Sequence, residues 1–96
     1  MLVKLGKNTG VICSEDFRAR YVYQAINSLG WKIPEEVGII GYFNTPWAEV
    51  FYPSLTSITI KEEKIAEKTV EIIEKEKDEE VWIEPEIVIR NSTRKI

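Results

Sequence analysis

Two short stretches carry the groups best suited to chemistry: Ser14-Glu15-Asp16 and Tyr42-Phe43-Asn44, each directly after an apolar run. Two carboxylates, an amide and aromatic faces can hold a polar small molecule by hydrogen bonds and stacking. The preceding runs, Gly10-Val-Ile-Cys13 and Val37 to Tyr42, have the length and composition of buried strands. In open α/β sheets ligands bind beyond the carboxyl ends of the strands, so the two stretches are expected close together at one rim. A plainer reading stands beside this one: Ser14 caps a helix, Asp16 lies at its positive end, and Phe43 fills core. Glu15 fits either reading. A paired-carboxylate hydrolase is disfavoured, because adjacent acids at a helix start diverge. A magnesium-dependent phosphoacceptor would need further acidic and lysine partners at the strand ends, and these are missing.

Composition removes other chemistries. The 96 residues include no histidine and one cysteine, Cys13, in an apolar run. Ser-His-Asp, Cys-His and histidine-metal sites are therefore out of reach, as is a disulfide framework. No metal site, cofactor or enzymatic activity is expected. A net charge of −3 without a basic stripe argues against direct nucleic-acid binding by these residues. No apolar run approaches a membrane span, and the first five residues do not make a signal peptide, which predicts a cytoplasmic protein with no membrane partner. A hydrophobic fraction of 44% and a charged fraction of 30% place the chain among globular domains, and its length allows one.

Elements that would position the two stretches follow from periodicity. A helix is predicted from Ser14, with Ala19, Val22, Ala25, Ile26 and Leu29 as its buried stripe and Gly30 as a left-handed stop. Strand, helix and strand then make a βαβ unit, with Val37 to Tyr42 buried on both faces. Ser54 to Ile60 reads as a strand or extended crossover, and Lys61 to Lys77 as a second helix with an isoleucine stripe through Ile65, Ile72 and Ile73. Asp78-Glu-Glu80 is a charged turn. Val81 to Ile83 and Glu86 to Arg90 read as one strand interrupted at Pro85, at an edge or a bend.

The segment GIIGYFNTPWAEVFYPSL, residues 38 to 55, is not what a mere turn requires. Its aromatics predict contact with something. On the first helix, Phe17, Arg20, Tyr21 and Gln24 fall outside the buried stripe, giving an aromatic and basic face that either packs under the chain's own loop or meets another subunit.

The order of these pieces resembles a known family. VICSEDFRA, INSLGWKIPEEVGIIGY, YPSLTSI and EPEIVIRNST together are similar to the C-terminal stretch of LacI/GalR-type transcriptional regulators, over about residues 10 to 94. The resemblance implies an α/β fold: a parallel βαβ-based sheet forming part of one lobe of a two-lobed, periplasmic-binding-protein-like sensor. Residues 1–96 would be a single partial domain, the C-terminal portion of the effector-binding domain, with the first lobe and DNA-binding head absent. It further implies that Glu15, Asp16, Phe43 and Asn44 face a small-molecule effector, sugar-like or related. Arg20, Tyr21, Trp47, Val50 and Phe51 would meet a second copy in a homo-oligomer, a dimer, with DNA reached only through the missing head. A fragment of an extracellular solute receptor of the same fold is the alternative. Where the family carries an aspartate this chain has Phe43, and an unpartnered sugar hydroxyl costs about 1–3 kcal/mol. Either Glu15 replaces that carboxylate, or Phe43 stacks on a ring, or the effector is not a simple sugar. The stripe of the second helix would lack its usual cover, which predicts association with another copy.

Overall fold

A computed structural model describes residues 8–76, 78 and 80–94. Four strands, Thr9–Ile12 (β1), Val37–Tyr42 (β2), Thr56–Thr59 (β3) and Glu86–Val88 (β4), form one sheet in the order β1-β2-β3-β4. β2 runs parallel to both β1 and β3, and β4 closes the edge antiparallel to β3. The chain is thus α/β with a mostly parallel sheet built on a βαβ unit. Beyond β1, Asp16–Arg18 form a 3₁₀ turn that leads into helix α1, Ala19–Ser28. A short helix, α2 (Trp47–Val50), lies inside the aromatic segment, and α3 spans Glu62–Lys75.

α1 ends as its sequence predicts. Gly30 takes a left-handed φ of 72°, its N–H reaches Asn27 O at 3.0 Å, and Trp31 N–H reaches back to Ile26 O at 3.2 Å, the doubled bonding of a Schellman stop. Its buried face is rotated from the expected stripe: Ala19, Tyr23 and Ile26 are buried, whereas Ala25 and Leu29 are exposed. Tyr23 wins this face because its ring stacks on Phe51, centroids 4.7 Å apart, while its hydroxyl donates to Pro53 O at 2.6 Å. An apolar body with a satisfied polar tip is worth more here than the methyl of Ala25. These side chains close over Val37, Ile39, Leu55, Ala48 and Cys13, which form the core.

The other side of the sheet differs from expectation. β2 alternates between fully and partly buried positions, so only one of its faces is sealed. Register places Ile12 beside Ile40, Tyr42 beside Ile58 and Ile58 beside Ile87, a row on the face away from α1. Ile12 and Ile87 remain exposed at 72% and 52%. α3 does not cover them: none of its residues is buried, and Ile73 is 70% exposed. A compact chain of this length has a radius of gyration of about 12–13 Å. The observed 16.9 Å fits a helix that leaves its apolar stripe uncovered.

At the end of the chain, Val81 to Ile83 are not a strand, and β4 is limited to Glu86–Val88. Pro85 supplies no N–H, and pairing with β3 starts at Glu86 opposite Thr59. α3 stops at Lys75, with Glu76 left-handed. Lys77 and Glu79, which the predicted helix end and charged turn include, lie outside the described residues. No helix among the described residues is long and apolar enough to cross a membrane.

Burial pushes the Tyr23 phenol from an ordinary value of 10.0 up to about 12, with Ser92 pulling partly the other way and Cys13 adding to the rise. The unfolded chain therefore loses this proton first as pH rises. The stabilisation from neutral Tyr23 is complete below pH 10 and is lost as the pH approaches about 12. Tyr23→Phe is expected to lower stability by about 1 kcal/mol at neutral pH and to flatten that alkaline decline, as read by urea titrations at several pH values.

Candidate functional site

The rim at the carboxyl ends of β1 and β2 is organised by one buried carboxylate. Asp16 is 0% exposed and accepts three hydrogen bonds: from Thr45 N–H at 2.5 Å, Thr45 Oγ1 at 2.9 Å and Ser57 Oγ at 2.6 Å. It caps no helix, and neither does Ser14, which is exposed. The 3₁₀ turn begins after Glu15, whose side chain makes no capping bond. The capping reading fails because the loop after β2 and the strand β3 take the carboxylate instead. Space for it comes from Gly41. A Cβ there would collide with Asp16 Oδ1 and stand 2.7 Å from Leu55 Cδ2 and 3.2 Å from Asp16 Cα. Glycine inside a strand commonly marks such an approach.

Ser57 passes the linkage on. While its hydroxyl donates to Asp16, its oxygen accepts from Asn44 N–H at 2.9 Å. Asn44 Oδ1 in turn accepts from the Arg90 guanidinium at 2.7 Å, and that guanidinium also donates to Leu55 O at 2.8 Å. Phe43 and Asn44 both have positive φ, 84° and 51°. For an aromatic residue this is a strained conformation, held here by the bond from Phe43 N–H to Ile58 O at 2.7 Å and by the network around Asn44.

Phe43 and Asn44 line a cavity of about 540 Å³, walled on its other side by Thr59, Lys61, Glu63 and Glu86. That volume falls within the range of small-molecule sites. Lys61 lies 2.9 Å from Glu86; its hydrogen bond, and then its charge, hold the Glu86 carboxyl below the usual carboxylate range. The wall thus mixes both charge signs with an amide and an aromatic ring.

The two predicted strand tips are therefore brought together, though in unequal roles. Asp16 and Asn44 share Ser57, and Phe43 and Asn44 reach the cavity. Glu15 turns outward and pairs with Arg18 at 3.2 Å. On the neighbouring face, Phe17 meets Trp47 edge-on with centroids 5.0 Å apart, and the Arg20 guanidinium lies over both Phe17 and Tyr21. Trp47 is 45% exposed and Val50 73% exposed, whereas Phe51 is half-buried against Tyr23. The aromatic segment splits: Ala48 and Phe51 hold it to the core while Trp47, Val50 and Tyr52 face outward.

Sequence reasoning missed Thr45, Ser57, Arg90 and Gly41 as parts of this site. A glycine inside the apolar β2 and a serine inside β3 were the available signals. The partner of each lies 25 to 46 positions away in sequence, so periodicity does not disclose it. Burial, and next the Asp16 charge, push the Cys13 thiol above its usual range. Among the described residues no group of three or more His, Cys, Asp or Glu side chains is placed to hold a metal ion.

A parallel βαβ core whose strand tips frame a polar pocket is the architecture of an α/β ligand-sensing domain. The periplasmic binding protein-like domain family matches residues 2–93, and the chain belongs to that family. It is similar to the HTH-type transcriptional repressor PurR of Vibrio vulnificus, 35% identical over 94 residues, 92% of this chain and 28% of the repressor. Among solved structures it is similar to a periplasmic binding protein/LacI transcriptional regulator from Alkaliphilus metalliredigens complexed with D-xylulofuranose. That match is 34% identical with a TM-score of 0.71, covering 90% of this chain and 35% of that one. A LacI family regulator from Enterococcus faecium with bound ribose is 30% identical, TM-score 0.69, covering 88% and 34%. Within the family, then, this chain is a segment of a LacI-type effector-binding domain. It spans about 28% of the length of the curated relatives it matches.

Gly41→Ala forces Asp16 out of its place, and Asp16→Ala leaves three donors without their acceptor. Each is expected to destabilise the chain by about 1–3 kcal/mol or more, with Ser57→Ala milder, as measured by thermal and urea unfolding.

Proposed function

We propose that this chain is the effector-binding and dimerising part of a cytoplasmic, non-enzymatic LacI-type transcriptional regulator. In this reading it is a single partial domain, and DNA is bound by a head outside this sequence. The observation that carries it is the cavity at the shared rim, where a strained Phe43-Asn44 pair presents an aromatic face and an amide. A small sugar-like effector suits that pair: the ring of Phe43 stacks on its apolar face and Asn44 bonds its oxygens. Similarity to regulators whose structures hold D-xylulofuranose and ribose supports the sugar class. Asp16 serves the effector from behind, through Thr45 and Ser57, and Glu15 stands at the outer edge.

Arg20, Tyr21, Trp47, Val50 and Phe51 form the surface for a second copy. Outward aromatics interleaved with a stacked arginine match the composition of interface centres. The uncovered stripe of α3 adds a second reason for association.

Asn44→Ala and Phe43→Ala are expected to weaken D-ribose binding about tenfold each in calorimetric titrations, with the circular dichroism spectrum unchanged. Equal affinities in both variants and the parent would refute the assignment. Trp47→Ala is expected to lower association by about 2 kcal/mol, moving the sedimentation profile toward monomer.

A further inference from the structure

Arg90 has no part in the reading above, yet it is built into the rim from three directions. Its backbone N–H donates to Thr56 Oγ1 at 2.8 Å, and its guanidinium donates to Leu55 O and to Asn44 Oδ1. The side chain is only 15% exposed, and Glu49 stands 4.0 Å away.

A guanidinium has donors and no acceptor, so the Asn44 atom that meets it must be the amide oxygen. A flipped amide would set NH₂ hydrogens against N–H hydrogens and lose the bond. The Asn44 NH₂ is therefore held on the side away from Arg90. Among the described residues no acceptor takes its hydrogens, and no buried side-chain nitrogen or oxygen is left without a partner. That NH₂ consequently reaches solvent, at a residue that lines the cavity.

We propose that Arg90 is a positioning residue that sets the hydrogen-bonding polarity of the cavity: it fixes Asn44 with its two amide hydrogens forward. Toward the cavity Asn44 then offers its amide hydrogens, its oxygen being turned to Arg90, and the cavity selects an effector that places a lone-pair oxygen, hydroxyl or carbonyl, at that point. An effector group with hydrogens and no lone pair is rejected there. Asn44 alone could rotate to suit either, so the selectivity resides in Arg90. The proposal rests on the assignment of this cavity as the effector site, and it adds a claim that can be checked without any effector.

The test uses the 96-residue chain labelled with ¹⁵N, following the Asn44 side-chain NH₂ signals in the parent, Arg90→Met and Arg90→Lys, without ligand and then with D-ribose. Arg90→Met removes every side-chain donor, while Arg90→Lys keeps a cationic donor group without the planar fork and guards against loss of fold in the first variant. Without ligand, the NH₂ pair is expected at a distinct position in the parent and moved toward the free-amide region in Arg90→Met, with Arg90→Lys between. Coincident NH₂ signals in the parent and a folded Arg90 variant would overturn the proposal. With D-ribose, Arg90→Met is expected to bind about tenfold more weakly and Arg90→Lys to recover part of the loss. Parent-like affinity in both variants would also overturn it. If D-ribose moves no cavity signal in any form, the sugar assignment fails, and the ligand-free spectra still decide whether Arg90 holds the amide.

Discussion

The Asp16 carboxylate is the interaction on which this rim depends. It is sealed from water, it accepts from Thr45 and Ser57, and it lies against a strand glycine that has no side chain to oppose it. A buried carboxyl without partners is among the most costly groups a small domain can hold, so its donors must stay in place. They belong to the loop after β2 and to β3. One side chain at the start of the 3₁₀ turn thus ties three consecutive parts of the βαβ layer together, and with them the loop that meets the cavity.

A division of labour follows from this. Groups whose hydrogen bonds are all made within the protein, such as Asp16 and Ser57, hold the loop in position. Groups with capacity to spare, chiefly the amide hydrogens of Asn44 and the face of Phe43, remain for a ligand. Strain in the left-handed Phe43-Asn44 pair is tolerated because several hydrogen bonds determine it from below. Rigid presentation of a few polar groups lowers the ordering cost of binding, which is the physical advantage of such a loop over a flexible one.

Two apolar surfaces are left uncovered, and they differ in kind. The patch around Trp47 combines stacked rings with Arg20 and is anchored to the core through Ala48 and Phe51, so it is preformed. The isoleucine row of the sheet and the stripe of α3 are plain aliphatic faces. Their bareness explains why β2, although apolar throughout, is sealed on one face alone.

Much of the fold was legible in the residues themselves. Apolar runs marked β1 and β2, Gly30 stopped α1, and Pro85 kept β4 short at an edge, because these are local effects of side-chain volume, φ and missing N–H groups. Placement of Ser14-Glu15-Asp16 beside Phe43-Asn44 followed from the rule that parallel strand ends share a rim. One local reading made Ser14 a helix cap with Asp16 at the helix's positive end, and local reasoning gave Ala25 and Leu29 a place in the core and Arg90 no role. Tertiary structure alone decided otherwise, since each of these outcomes depends on a partner far along the chain: Ser57 for Asp16, Phe51 and Pro53 for Tyr23, Asn44 for Arg90. Pattern along a chain reports which face of an element is apolar. Which polar group meets which is settled only when donors and acceptors are confined together without water.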